Sequence, residues 1–267
     1  MPATNPTRLR LASYNLFKAR FLDHPGPRGG TLREDFLRLP PLCEADVLLL
    51  QEAIVDPPGQ DGPGLDTVGE LASLLGWDAS TEDGLLAGAP APGGGEADAL
   101  GRRSFLGAAD RSGRRWGLGI LSRFPAHFTS AWLPKPFWSP WRRGALFAEI
   151  GPWVVGTLHL EVWPIGAPAR QAQMRAVLAT LEGPLRGRDR PVVLAGDFNC
   201  ERGGPHDELL RAGFLPALPR GEPTFAFAGL RLRLDHIYVR GARVEAASVV
   251  TAARGSDHWP VWAEVTG

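Results

Sequence analysis

The sequence predicts an α+β fold in which two β-sheets pack together and helices cover their outer faces. Many apolar segments have the length of a strand, and only a few have the apolar spacing of a helix. Hydrophobic residues form 44% of the 267 residues and charged residues 22%, which is typical of a domain with a buried core. No linker-like segment divides the chain, so a single domain over residues 1–267 is predicted.

The strands are predicted from alternating or continuous apolar runs. Residues 8–16 alternate between polar and apolar side chains. Residues 46–52 (D-V-L-L-L-Q-E) form a continuous apolar run, which indicates a strand that is covered on both faces. Further strands are predicted at residues 116–122, 128–133, 144–150, 153–160, 191–195, 234–239, 243–250 and 261–265.

Helices are predicted where apolar residues recur at helical spacing. The predicted helices are residues 31–39 (ending before a Pro-Pro pair), residues 65–75, a segment with Met174, Val177, Leu178 and Leu181 on one face, and residues 207–212. Residues 84–115 begin with a stretch rich in Gly, Ala and Pro, and a flexible insertion loop is predicted there.

Charge and cysteine content exclude several classes of function. Lys+Arg and Asp+Glu number 29 each, and this zero net charge argues against a general electrostatic grip on duplex DNA. Cys43 and Cys200 are too few for a disulfide framework and lack a metal-binding spacing, so both are expected to be free thiols. No segment has the length and apolarity of a membrane span or a signal-peptide core, so a cytoplasmic protein is expected. We also expect a monomer.

Polar side chains that can do chemistry follow several of the apolar runs. They are Asn15, Glu52, His159, Asp197, Asn199, Asp235, Asp257 and His258. In L-A-G-D-F-N, Asp197 and Asn199 are two residues apart, so on a strand they face one side while Phe198 packs into the core. Asp and Asn also cap turns, but the recurrence of the pattern favours a site. His236, next to Asp235, is expected to point away from it.

Eight short segments, in chain order, resemble the endonuclease/exonuclease/phosphatase superfamily. They are S-Y-N-L, L-L-L-Q-E, G-L-G-I-L-S-R-F-P, R-G-A-L, G-T-L-H-L, L-A-G-D-F-N, L-D-H-I-Y-V and G-S-D-H-W-P-V. The resemblance covers residues 9–265. The resemblance implies a deoxyribonuclease I-like, four-layer α/β/β/α sandwich of two mixed sheets. It also implies a hydrolase that cleaves phosphodiester bonds by in-line attack of water.

The resemblance also implies a role for each candidate. Asn15, Glu52 and Asp257 resemble a divalent-metal site, and their hard oxygen ligands suit Mg²⁺ or Mn²⁺. His258 resembles a general base that Asp235 orients. Asp197, Asn199 and His159 resemble residues that contact the scissile phosphate, the nucleophile or the leaving group. Whether Asp197 or His258 activates the water stays open, and Glu161 either faces the site with His159 or is an exposed charge.

The substrate is less defined by the sequence. The segment S-Y-N-L-F departs from the W-N-V/I-N-G motif of AP endonucleases. Residues 131–143 (A-W-L-P-K-P-F-W-S-P-W-R-R) either stack nucleobases, dip into a lipid interface, or pack between strands or against a partner subunit. The candidate substrate-binding residues are Trp138, Trp141, Arg142 and Arg143. A nuclease is the first prediction; the alternatives are a phospholipid or small-molecule phosphodiesterase or phosphatase, and a non-catalytic binding protein.

Overall fold

A curled, mixed β-sheet forms the frame of the protein. The structure is a computed structural model that describes residues 6–18, 22–56, 65–77, 100–109, 114–162, 166–185, 189–218 and 221–267. The strands are β1 (Arg8–Asn15), β2 (Val47–Asp56), β3 (Leu65–Asp66), β4 (Leu100–Ala109), β5 (Arg115–Trp132), β6 (Gly144–Ile150), β7 (Trp153–His159), β8 (Val192–Asp197), β9 (Leu215–Pro216), β10 (Phe225–Phe227), β11 (Leu230–Leu232), β12 (Asp235–Arg240), β13 (Arg243–Val249) and β14 (Val261–Thr266). The helices are α1 (Leu32–Arg38), α2 (Pro40–Cys43), α3 (Thr67–Leu74), α4 (Ala167–Glu182) and α5 (Gly204–Arg211).

The strand β5 joins the two halves of the sheet. The main strand order is β13-β14-β1-β2-β5-β6-β7-β8-β12-β9, with β3 on β2 and β4 on β5, while β10 and β11 form a separate hairpin. The first part of β5 pairs with β2 as far as Ser122, and its last part pairs with β6 from His127 onward. Pro125 therefore lies between the two ladders, where its missing N–H group is tolerated. One continuous hydrogen-bonded path thus connects strands that the sequence assigns to two sheets.

Three apolar clusters form the core. The largest contains residues from both halves of the curled sheet and takes one face of the central strands, for example Leu49 of β2 and Val193 of β8. A second cluster packs the other face of β1 and β2, including Leu48, against the helices α1 to α3. A third packs the other face of β7 and β8, including Leu194, against α4 and α5. The continuous apolar run of β2 is therefore buried on both faces, as predicted.

Local sequence explains where the first helices begin and end. The Thr31 side chain accepts a hydrogen bond from the Glu34 N–H, and the Glu34 side chain accepts one from the Thr31 N–H. This reciprocal capping box starts α1. Pro40 follows Leu39 and becomes the first residue of α2, because its fixed φ suits an N-terminal helical position.

The prediction of a flexible loop over residues 84–115 is wrong for residues 100–109. These residues form β4, which pairs antiparallel with β5 and buries Phe105 and Leu106. The Gly/Ala/Pro-rich composition that motivated the loop ends before this strand. Residues 84–99 and 110–113 lie outside the described residues. Two predicted strands, 116–122 and 128–133, are also one strand, and α5 begins at Gly204 rather than at residue 207.

Within the described ranges, none of the helices combines the length and the apolarity that a membrane crossing requires.

Candidate active site

Three of the candidate residues lie side by side on neighbouring strands. Asp197 ends β8, and it is in register with His159 at the end of β7 and with Asp235 at the start of β12. The strand β12 runs antiparallel to β8, so its first residue meets the last residue of β8. The pairing of the sheet therefore places a histidine and two acids at one edge, although they are far apart in sequence.

A short hydrogen bond joins Asp235 to His258. The Nδ1 atom of His258 lies 2.7 Å from the Oδ2 atom of Asp235, and both side chains are buried. Burial by itself lowers the pKa of His258, but the carboxylates of Asp235, Asp197 and Asp257 raise it to about 10. The imidazole is therefore held with Nδ1–H toward Asp235, and its Nε2 atom faces Asp197 Oδ2 and Asp257 Oδ1, each at 3.9 Å.

The loop that carries Asp257 and His258 is fixed by several contacts. The Ser256 hydroxyl donates to the Asn15 carbonyl at 2.7 Å and accepts from the His258 N–H at 3.1 Å. The Arg28 guanidinium donates to the carbonyl oxygens of Asp257 and His258. The ring of Phe225 lies 4.9 Å from the His258 ring, centroid to centroid. The histidine is thus positioned from both its backbone and its ring.

Asp197 is the centre of the polar network. Its Oδ2 atom accepts from Asn15 Nδ2 at 3.0 Å, and its Oδ1 atom accepts from the Asn199 N–H at 2.8 Å. His159 Nε2 lies 3.6 Å from Oδ2. Burial, followed by repulsion from Asp235, raises the pKa of Asp197 to about 7. This carboxyl group can therefore exchange a proton near neutral pH.

The G-D-F-N turn both caps a strand and builds the site. Asn199 has a φ of 51°, and its Nδ2 group donates to the Leu160 carbonyl at 3.0 Å. Phe198 is fully buried in the third apolar cluster, as predicted. His236 lies on the far side, with its Nε2 atom 3.1 Å from the Cys200 carbonyl, so the prediction that it points away from the site is confirmed. Cys43 and Cys200 are free thiols, also as predicted.

His159 is buried beside a guanidinium. Burial lowers its pKa well below the ordinary value, and the charge of Arg143 lowers it further. The imidazole is therefore neutral at pH 7. A neutral ring has one N–H donor and one acceptor, so it can contact a phosphate oxygen without adding charge.

Glu52 and Asp257 have the features of ligands for a hard cation. Glu52 lies at a bulge of β2 with a φ of 55°, and its buried Oε2 atom has no hydrogen-bond partner among the described residues. Burial raises the pKa of Asp257, and the charge of Glu52 raises it further. A divalent cation would supply the contact that Glu52 lacks and would offset the repulsion between Glu52 and Asp257. These oxygen donors therefore fit Mg²⁺ or Mn²⁺. Asn15, the third predicted ligand, already bonds Asp197 and the Phe17 N–H.

Asp197, Asp235 and His258 form a second group in which one ligand atom from each residue lies within 4.8 Å of the others. This spacing also suits a metal ion. The Nδ1–H group of His258 already donates to Asp235, an arrangement that is also expected of a histidine in acid–base chemistry.

A pocket adjoins the candidate catalytic residues. It has a volume of about 150 Å³, and Glu52 and His159 are among the residues that line it. Its lining includes Lys18, Trp116, Trp132, Trp141, Arg142 and Arg143. Trp138, which the sequence also predicted to bind substrate, is 39% exposed and does not line this pocket.

The sequence prediction missed Lys18. This residue follows Asn15 by three positions, but it lies beyond the predicted strand and offered no motif. Of the two alternatives for Glu161, the exposed charge is wrong, because the side chain is fully buried and its Oε1 atom lies 3.9 Å from Arg143 Nη2.

Comparisons with known proteins agree with this arrangement. A profile described as the endonuclease/exonuclease/phosphatase family matches residues 12–258. A search of curated proteins gives no match. Solved structures that resemble this one include an endonuclease/exonuclease/phosphatase from Beutenbergia cavernae (TM-score 0.72, 20% identity, covering 97% of this chain and 71% of that chain). A mannosyl-6-phosphatase from Bacteroides thetaiotaomicron is also similar (TM-score 0.64, 18% identity, covering 97% of this chain and 100% of that chain). So is D. rerio TDP2 complexed with a single-strand DNA product (TM-score 0.62, 18% identity, covering 98% of this chain and 100% of that chain). At these identities the structural likeness shows a shared fold.

Proposed function

Because the chain belongs to the endonuclease/exonuclease/phosphatase family, we propose that it is a divalent-metal-dependent phosphoesterase that hydrolyses phosphodiesters of nucleic acids. The family includes nucleases, other phosphodiesterases and phosphatases. Among structural relatives, one is a mannosyl-6-phosphatase and another, TDP2, is complexed with single-strand DNA. The proposal for this chain rests on its own site.

The observation that carries the proposal is the Asp235–His258 pair beside Asp197. The distance of 3.9 Å between His258 Nε2 and Asp197 Oδ2 is too long for a direct hydrogen bond, but one water oxygen can contact both atoms. Such a water is held next to Asp197, whose pKa of about 7 lets it accept a proton near neutral pH. The water oxygen then attacks phosphorus as the bond to the leaving oxygen breaks.

The imidazolium of His258 lies where negative charge develops on the phosphate. Its charge is maintained by Asp235 at 2.7 Å, so it stabilises the transition state and can return a proton. In this proposal, neutral His159, whose Nε2 atom lies 3.6 Å from Asp197 Oδ2, binds a phosphate oxygen. Asn199 holds Asp197 through its backbone N–H, and its side-chain amide, which donates to the Leu160 carbonyl, contacts the phosphate or the leaving group. Each of the five catalytic candidates therefore has a position that suits its proposed role.

Glu52 and Asp257, with Asn15 beside them, would hold the divalent cation. When bound, such a cation supplies positive charge that neutralises the phosphate and its transition state. The buried Oε2 atom of Glu52, which has no hydrogen-bond partner in the part of the chain that the structure describes, supports the cation site.

We also propose that the curled sheet and its helices form a four-layer sandwich within one domain. The central cluster separates the two halves of the sheet, and each outer cluster includes helices.

The test is hydrolysis of bis-p-nitrophenyl phosphate by the wild type and by His258→Ala, with Mg²⁺, Mn²⁺ or EDTA. We expect metal-dependent turnover that EDTA abolishes and that the variant loses by at least about 10²-fold. Thermal unfolding of both proteins shows whether the variant is folded. Turnover by folded His258→Ala at the wild-type rate would contradict the assigned role. Turnover of p-nitrophenyl phosphate but not of the diester would indicate a phosphatase instead.

A further inference from the structure

The pocket beside the catalytic residues combines three tryptophans with three cationic side chains. Trp116 comes from β5, Trp132 from the end of the same strand, and Trp141 from the following loop. The Nζ atom of Lys18 lies 5.1 Å from the Trp116 ring centroid and 5.7 Å from that of Trp141. Cation–π contacts of this kind hold a cation in place without neutralising its charge.

The charge of the pocket suits an anionic ligand. Arg142 stacks over the Trp132 ring at 4.6 Å. In the described part of the chain, neither Lys18 nor Arg142 has a carboxylate partner within ion-pair distance. The Arg143 side chain is only 12% exposed, lies 3.9 Å from Glu161, and lines the pocket together with His159. A ligand group that is attached to a phosphate therefore suits the charge of the pocket.

The backbone conformation of Phe17 and Lys18 places the Lys18 side chain in the lining of the pocket. Phe17 and Lys18 have φ values of 51° and 54°, which are unfavourable for these residue types. The Phe17 N–H donates to Asn15 Oδ1 at 3.0 Å, and this contact stabilises the turn. The residue that bonds Asp197 thus also directs the chain toward the tryptophans.

The size and lining of the pocket define the rest of the ligand. A volume of about 150 Å³ suits one ring system. Apart from Glu52 and His159, the described lining contains no side chain that accepts a hydrogen bond as a carboxylate, amide, hydroxyl or imidazole group does. The hydroxyl donors of a sugar would therefore find few side-chain acceptors there, whereas a nucleobase can stack on tryptophan without them.

We propose that this pocket binds one unpaired nucleobase of the nucleotide whose phosphate is cleaved. This inference rests on the proposed phosphodiesterase function and specifies its substrate: a single-stranded or terminal nucleotide rather than intact duplex. Trp141 is the most accessible of the aromatic contacts, with 44% of its surface exposed. Arg143 and Lys18 attract the phosphate.

The kinetic test uses two esters with the same p-nitrophenol leaving group. One is thymidine 5′-(p-nitrophenyl phosphate), and the other is its abasic analogue, in which 1,2-dideoxyribose replaces thymidine. We expect kcat/KM to be about tenfold higher for the thymidine ester, the effect of stacking one base. Trp141→Ala should bring this ratio close to one. A wild-type ratio near one would overturn the proposal.

The matched control is Phe137→Ala. Phe137 lies in the same segment and is 99% exposed, but it does not line the pocket. We expect Phe137→Ala to keep the wild-type ratio. An equal fall of the kcat/KM ratio in Trp141→Ala and Phe137→Ala would assign base binding to the exposed segment and would overturn the pocket as the binding site.

A binding measurement separates this inference from the proposed catalysis. Calorimetry in EDTA compares thymidine 5′-monophosphate with 1,2-dideoxyribose 5-phosphate. Tighter binding of thymidine 5′-monophosphate by about tenfold, lost in Trp141→Ala, would support the pocket even if neither ester were hydrolysed. Hydrolysis of both esters with equal binding of the two monophosphates would overturn the pocket and leave the proposed function standing.

Discussion

Replacing Asp235 with Asn tests the acid–base pair most directly. The substitution keeps the shape of the side chain but removes the negative charge 2.7 Å from His258 Nδ1. The pKa of His258 is about 10, against an ordinary value of 6.5, which corresponds to roughly 5 kcal/mol in favour of the imidazolium. Asp235 is the largest contributor that raises this pKa. We therefore expect Asp235→Asn to lower the fraction of charged His258 and to loosen its orientation.

The expected result is a fall in kcat of about 10²–10⁴-fold on bis-p-nitrophenyl phosphate with Mg²⁺. The matched control is Asp46→Asn. Asp46 is also partly buried and accepts from the Arg10 N–H at 2.8 Å, but it precedes β2 at the end of the strand remote from the site. We expect this variant to lose about 1 kcal/mol of stability and little activity. A folded Asp235→Asn variant with kcat within threefold of the wild type would refute the assigned pair.

Two other substitutions and one chemical modification test the cation site at Glu52, the G-D-F-N turn that begins at Gly196, and the burial of the Cys200 thiol. Glu52→Gln should raise the Mg²⁺ concentration for half-maximal activity by at least about tenfold and reduce the rise in Tm that Mg²⁺ produces, because it removes a charged ligand. Gly196→Ala should destabilise the protein by more than about 3 kcal/mol in urea unfolding, because the new Cβ would lie 2.0 Å from the Leu158 oxygen at a φ of 145°. Iodoacetamide at pH 8 should modify Cys43 before Cys200 in mass spectrometry, since burial raises the pKa of the Cys200 thiol to about 11 and only the thiolate reacts.

For each of these three predictions, a control or an opposite result would contradict the reasoning. Gly101→Ala should change stability by less than about 1 kcal/mol, because the nearest atom to its new Cβ is 3.6 Å away. A Gly196→Ala protein as stable as Gly101→Ala would contradict the strain argument. Equal Mg²⁺ dependence of Glu52→Gln and wild type would remove Glu52 from the cation site. Faster alkylation of Cys200 in the folded protein would show that its loop opens.

The predictable part of the fold follows from patterns that are local in sequence. The alternation of β1 and the continuous apolar run of β2 depend on burial of each strand's own faces, and both strands appear as predicted. The strand β4 was missed because the Gly-, Ala- and Pro-rich composition of the residues before it decided the prediction, and its own sequence does not alternate between apolar and polar residues. The continuity of β5 was missed because Pro125 resembles a strand end, and its tolerance depends on which partners lie beside it.

The candidate site was likewise predictable only where a local sequence pattern marks it. Motifs identified the acids and histidines, since the G-D-F-N and S-D-H segments carry a sequence signal of their own. The positive φ of Glu52 and the bulge beside it have no such signal, because they arise from the pairing of β2 with β5. The pocket was also not predictable, because Lys18, Trp116 and Trp141 meet only in the folded chain.

The register of the sheet explains why Asp235→Asn is a sharper test than His258→Ala. Asp197 and Asp235 are directly opposite each other on antiparallel strands, a position in which like charges are destabilising. The imidazolium of His258 lies near both carboxylates and offsets this repulsion. Removing His258 therefore leaves two buried acids to repel each other and affects stability as well as catalysis. Removing the charge of Asp235 relieves the repulsion on Asp197, so we expect Asp235→Asn to lose less stability than His258→Ala, and its loss of activity to report more directly on catalysis.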